Sequence, residues 1–237
     1  MLRIAFATIA AASVSVPAAA AEIQIQASGP VIELSVTETV DARPDIATVS
    51  AGVSTDAPSA VEAMRANARQ MSAVVDRIKA LGIAEDDIQT TGINLNPRYD
   101  YDRDSQQQVF RGYQASNRVS VKLRQIDETG GVLDALVAAG ATDIGGPAFS
   151  IDDDSAFRAE ARRAALERAR AQAQDYAGMP GYSGLRLLEI NESISGHQPM
   201  PVGYRAAATV AAEASTPVQP GLVATNVNIT VKYELTR

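Results

Sequence analysis

Ile32, Leu34 and Val36 alternate with polar neighbours and predict a half-buried strand over residues 31–36. Ala47, Val49, Ala51 and Val53 do the same over 46–53. The period then changes. Val61, Met64, Ala68, Met71, Val75 and Ile78 recur at steps of three and four, the stripe of an amphipathic helix. Asp56 and Pro58 open it, Asp as a cap for free amides and Pro as a residue tolerated in the first turn. Gly82 supplies the left-handed stop. A strand is expected over 88–95, then a polar loop over 96–111, then a strand with Ala115, Val119, Val121 and Leu123 inward. A helix over 127–139 ends at Gly140, and 144–151 reads as a short strand. Asp152, Asp153 and Asp154 head a long helix reaching about residue 177. A strand over 185–190 and a Pro- and Ala-rich connection over 193–220 precede the last strand. There Val223, Thr225, Val227, Ile229, Val231, Tyr233 and Leu235 share one face.

One stretch repeats. Residues 74–82 align without gaps to 132–140, and an Asp-Ile pair opens a strand after each copy, at Asp87-Ile88 and Asp143-Ile144. The middle of the chain therefore reads β-α-β-β-α-β, the order of a ferredoxin-like core with two helices on one face of an antiparallel sheet. The expected fold class is α+β, with that core, an extra long helix and additional strands. On the long helix Ala161, Ala165, Ala169, Ala173 and Ala177 recur every four residues. Such a stripe permits close approach to a neighbour, and it also follows from helix propensity alone; both readings stay open. Arg158, Arg162, Arg163, Arg168 and Arg170, with Glu160 and Glu167, read as a solvated face with ion pairs inside the helix.

Composition narrows the chemistry. The 237 residues carry a formal charge of -7, which does not suit a general nucleic-acid binder. The chain has no Cys and one His, His197. Disulfides, thiol catalysis and multi-His metal centres are thereby excluded. Asp100, Asp102 and Asp104 alternate like the start of a calcium loop, but Ser105 stands where Gly is needed and Arg111 where a bidentate Glu belongs. They read as a solvated tip. Tyr99 and Tyr101 among them, with Phe110 and Tyr113 beyond, form a candidate adhesive arm. Gly181-Tyr182-Ser183-Gly184 lacks the last Gly of a nucleophile elbow, and a triad would have to recruit His197. No catalytic residue, metal site or cofactor is assigned.

Residues 1–21 read as a signal peptide: Arg3, an apolar run over 4–16, Pro17, and Ala19-Ala20-Ala21 before Glu22. No second stretch is long and apolar enough to span a membrane, so a soluble exported domain over 22–237 is expected.

Several segments in order carry a resemblance. They are Ala42-Arg43-Pro44-Asp45, residues 82–90, Asn96-Pro97-Arg98-Tyr99-Asp100-Tyr101, residues 112–117 and Phe149-Ser150-Ile151-Asp152-Asp153, then the Ala-rich helix and the final strand. Over nearly the whole mature length the chain resembles the SIMPL-domain family, the YggE-like bacterial envelope proteins. Asp154 departs from it, where Pro often begins the third helix. The resemblance implies a periplasmic or outer-membrane-associated protein, a link to oxidative stress in some relatives, and large ring- or channel-like oligomers in others. It supplies no catalytic residue. Met64, Met71, Met179 and Met200 are the candidate oxidisable side chains. The leading expectation is a non-enzymatic homo-oligomer or binder of envelope proteins. The alternatives are a carboxylate- or cation-dependent periplasmic hydrolase and an oligomeric channel-like module.

Overall fold

The computed structural model describes residues 27–198 and 216–237. Its elements are β1 (Val31–Ala42), β2 (Ile46–Ala57), α1 (Ala60–Ala80), β3 (Ile88–Asp102), β4 (Gln107–Leu123), α2 (Thr129–Ala138), β5 (Asp143–Ser150), α3 (Ser155–Gly178), β6 (Gly184–Gln198) and β7 (Val223–Thr236). The predicted leader over 1–21 lies outside the described residues.

The fold is α+β. The strands form two antiparallel sheets, ordered β3-β4-β2-β5 and β1-β7-β6. The first, with α1 and α2, has the order and connectivity of a ferredoxin-like unit. Both copies of the repeat end helices there, with Gly82 at φ 81° and Gly140 at φ 104°. The helices divide between the sheets. α1 and α2 fill the face of the four-stranded sheet, burying Met71, Val74, Ile78, Val132 and Leu136 against Val49, Ala51, Val119 and Val121. That leaves α3 to cover the other sheet. Ala161, Ala165, Ala169 and Ala173 pack there on Val36, Val227, Ile229 and Val231, so the small-residue stripe is a close-approach face.

The ferredoxin-like unit is inserted in sequence between β1 and α3. Its entry and exit are laced together: the Asp45 amide donates to the Ser150 carbonyl at 3.1 Å, and the Asp152 amide donates to Asp45 Oδ1 at 2.8 Å.

Four local expectations change. Ser59, not Asp56, caps α1; its Oγ accepts from the Glu62 amide and donates to the Glu62 carboxylate. Asp56 lies near the end of β2 and pairs with Arg98 at 2.5 Å. The buried face of α1 is Ala63, Asn67, Met71, Val74 and Ile78; of the predicted stripe Met71 and Ile78 are buried and Met64 and Val75 half-buried, while Val61 and Ala68 are exposed. Asn67 rotates the face, because its carboxamide reaches two main-chain carbonyls of the sheet. Residues 96–111 are mostly strand, not loop. On α3 two of the arginines pair with neighbouring strands, Arg162 with Glu192 and Arg168 with Glu38, while Arg158 pairs locally with Asp154 at the head of the helix.

At the head of α3, Asp154 occupies the cap position without a side-chain cap bond and pairs with Arg158 at 2.7 Å. Asp153 takes the Ser155 amide at 3.0 Å, and Asp152 binds Lys122 and Arg124. β6 runs on to Gln198, beyond the predicted strand end. Most of the 193–220 connection lies outside the described residues. Its return is anchored on the ferredoxin-like unit: Thr216 gives its amide and hydroxyl to Asp134, and Val218 joins the larger core.

Candidate functional site

β4 pairs with β3 from Gln107 to Val121 but with β2 only from Tyr113 onward. Residues 98–102 and 107–112 therefore form a two-stranded ribbon that leaves the sheet. A bulge marks its root. Pairing steps from Arg98 opposite Gly112 to Tyr99 opposite Phe110, leaving Arg111 extra. Gly112 has φ 121°, and a Cβ there would collide with the Ala57 carbonyl oxygen. Only Gly fits this turn.

Within the ribbon the rings share one face. Phe110 meets Tyr99 edge-on at 5.6 Å between centroids and Tyr113 at 5.4 Å. Ile93, Leu95, Tyr99 and Tyr101 lie on the same side of β3 by its period of two. Ile88 and Leu95 stand opposite Val121 and Ala115, both core residues. The core face of the sheet thus continues past the start of α1, where no helix among the described residues covers it. Tyr101 is 63% exposed, Ile93 57%, Tyr99 54% and Phe110 46%. The opposite side carries charge: Asp100 pairs with Arg111 at 3.2 Å.

The tip spans 103–106, with Gln106 at φ 54°. Asp102 accepts the Asp104 amide at 3.0 Å and the Ser105 hydroxyl at 2.8 Å, an Asx turn. Those bonds hold its carboxyl below the usual range. Asp100 faces Arg111 instead, so the three aspartates do not converge. Period-two alternation of Tyr99 and Tyr101 with aspartates was the available signal for strand. Polar content and Pro97 masked it.

The remaining candidates scatter. Ser183 lies in the turn before β6, its amide donating to the Thr236 carbonyl. The backbone at His197 belongs to β6, and its side chain and Met200 lie outside the described residues. Met71 is buried, Met64 half-buried and Met179 exposed. A cleft of about 270 Å3 opens at the foot of α1 over Leu81, Ile83, Leu123 and Val132. Its lining includes Asp87, Lys122, Arg124 and Glu128; Arg124 pairs with Asp87 and with Asp152 beside the cleft, and Lys122 pairs with Asp152 too. Arg124 and Lys122 hold the Asp152 carboxyl below its ordinary value. Among the described residues, every carboxylate with a displaced pKa moves down, drawn by cations, hydroxyls or amides. A general acid needs the opposite displacement. Among the described residues, no three His, Asp or Glu side chains are grouped to hold a metal, and no helix is long and apolar enough to cross a membrane.

Comparison with known proteins covers nearly the whole chain. The 26 kDa periplasmic immunogenic protein of Brucella melitensis is 33% identical over 227 residues, 93% of this chain and 91% of that one. Its Brucella abortus counterpart is 32% identical over the same length. The uncharacterized protein YggE of Escherichia coli K12 is 30% identical over 192 residues, 81% of this chain and 77% of that one. None of these names carries a catalytic activity. Residues 32–233 match the model of SIMPL, a protein family of unknown function (DUF541), and the chain belongs to that family.

Proposed function

We propose that this SIMPL protein is exported to the periplasm and works by self-assembly through its aromatic ribbon, not by catalysis. The observation that carries this reading is the uncovered core face from Ile93 to Tyr101, closed by Phe110. Burying one such ring or aliphatic chain contributes about 1.5–3 kcal/mol, so several together work against the entropy cost of association. Pro97 interrupts the donor row of edge strand β3, which favours contact through side chains over a continuous backbone ladder. A second copy offers the same face at equal concentration, and a two-fold arrangement makes that face self-complementary. Export is supported by the leader pattern over 1–21 and by the periplasmic relatives.

The test is light scattering with size-exclusion chromatography on residues 22–237. The wild type is expected to be oligomeric. The triple variant Tyr99→Ser, Tyr101→Ser, Phe110→Ser is expected to shift to smaller species with an unchanged circular dichroism spectrum. A monomeric wild type at high concentration, or an oligomer indifferent to the triple change, overturns the proposal.

A further inference from the structure

Glu234 belongs by parity to the outer face of the three-stranded sheet, beside Asn228, Thr230 and Lys232. Those three are half-buried, whereas Glu234 is 4% exposed. What covers it is the chain just before β1. The amides of Ser28 and Gly29 both donate to its Oε1 at 2.6 Å, and Arg186 Nε donates to Oε2 at 2.6 Å. The Leu235 amide donates to the Pro30 carbonyl at 2.8 Å. The approach is tight: a Cβ on Gly29 would stand 2.7 Å from the Leu235 carbonyl oxygen. One carboxylate of the last strand therefore grips the first described residues of the chain.

Two adjacent amides converging on one oxygen, with a guanidinium on the other, form an arrangement whose strength depends on negative charge. Among the described residues, the other charged groups nearest in register are Glu189 on β6, Lys232 on β7 and Glu33 on β1, and Arg237 beyond the strand end lies over the Tyr182 ring. Lys232 binds Glu189 at 2.7 Å and stands opposite Glu33. Both of those acids are thus placed on Lys232, while Arg186 is placed on Glu234.

We propose that Glu234 is an acid-operated latch: its charged carboxylate holds residues 28–30 against the end of β7, and its protonation releases them and the leading end of β1 while both cores stay folded. Arg186 and the Gly29 amide hold the carboxyl below the usual glutamate range. The sign follows. A lowered folded-state pKa means the latch is closed above the unfolded value, about pH 4.3, and opens as pH falls through the lower folded value.

Residue-resolved amide exchange on the mature protein, corrected for the intrinsic pH dependence, tests this. At neutral pH the Ser28 and Gly29 amides are expected to be protected. Below about pH 4 their protection should fall by about tenfold or more while Val49 and Val227 stay protected. Glu234→Gln should lower their protection at neutral pH and remove the acid step. Arg186→Met should move the step to higher pH. The proposal is overturned if Ser28 and Gly29 are unprotected at neutral pH, if they are lost only together with Val49 and Val227, or if Glu234→Gln retains the step. Should Glu234→Gln fail to fold, an Arg186→Met step at the wild-type pH overturns it equally.

Discussion

Asn67 reaches out of α1 and donates its carboxamide to the carbonyl of Val53 at 2.9 Å, inside the larger core. The same nitrogen donates to the Ala115 carbonyl at 3.0 Å, so one side chain pins the helix to two neighbouring strands. It is 2% exposed. Removing it leaves two buried carbonyls without those donors. Asn67→Ala is expected to cost about 1–3 kcal/mol in urea unfolding. Asn67→Asp should cost more, because a carboxylate cannot donate and brings charge into the core. A cost within experimental error for both changes would show that the helix is seated by its apolar contacts alone.

Gly112 sets the root of the aromatic ribbon. Its φ of 121° and the collision a Cβ would make with the Ala57 oxygen leave no place for a side chain. Gly112→Ala should destabilise the protein by about 1–3 kcal/mol through strain, and it should also disturb the start of α1 next to Ala57. Gly92 lies in the same strand pair with no such contact nearer than 3.8 Å. Gly92→Ala should therefore be the milder change. Equal thermal midpoints for the two variants would contradict the assignment.

Asp152 joins α3 to the end of β4 through Lys122 at 2.9 Å and Arg124 at 2.6 Å. The guanidinium and ammonium lower its pKa, Arg124 contributing most. The stabilisation is thus present above the unfolded value and lost as pH falls through the folded one. Wild type should be more stable than Asp152→Asn at neutral pH. The gap should close as pH falls below the ordinary aspartate value, about 3.9, and through the lower folded one. Chemical denaturation at a series of pH values measures this, and a gap independent of pH would mean that the carboxylate charge is not what matters.

Much of the fold was legible because local rules and tertiary demands agree. The left-handed stops at Gly82 and Gly140, the β-α-β-β-α-β order and the inward set of β7 all follow from backbone permission and side-chain period. Legibility failed where they disagree. On α1, hydrophobicity points to Val61 and Ala68, but a polar residue, Asn67, faces inward because the sheet offers it two carbonyls. In 96–111, polar composition argues for loop, but edge strands face water and tolerate it. The grip of Glu234 on Ser28 and Gly29 spans 206 and 205 residues, a distance no local pattern can register.

Residue order alone determined the glycine stops of α1 and α2, the inward set of the last strand and the absence of thiol chemistry, since each depends on neighbours a few positions apart or on composition. Only the tertiary structure decided that the helices divide between two sheets, that the core face runs out bare along the ribbon, and which acid holds the start of the chain. Those outcomes depend on which surfaces remain uncovered after packing, and burial is a property of the assembled chain rather than of any segment in it.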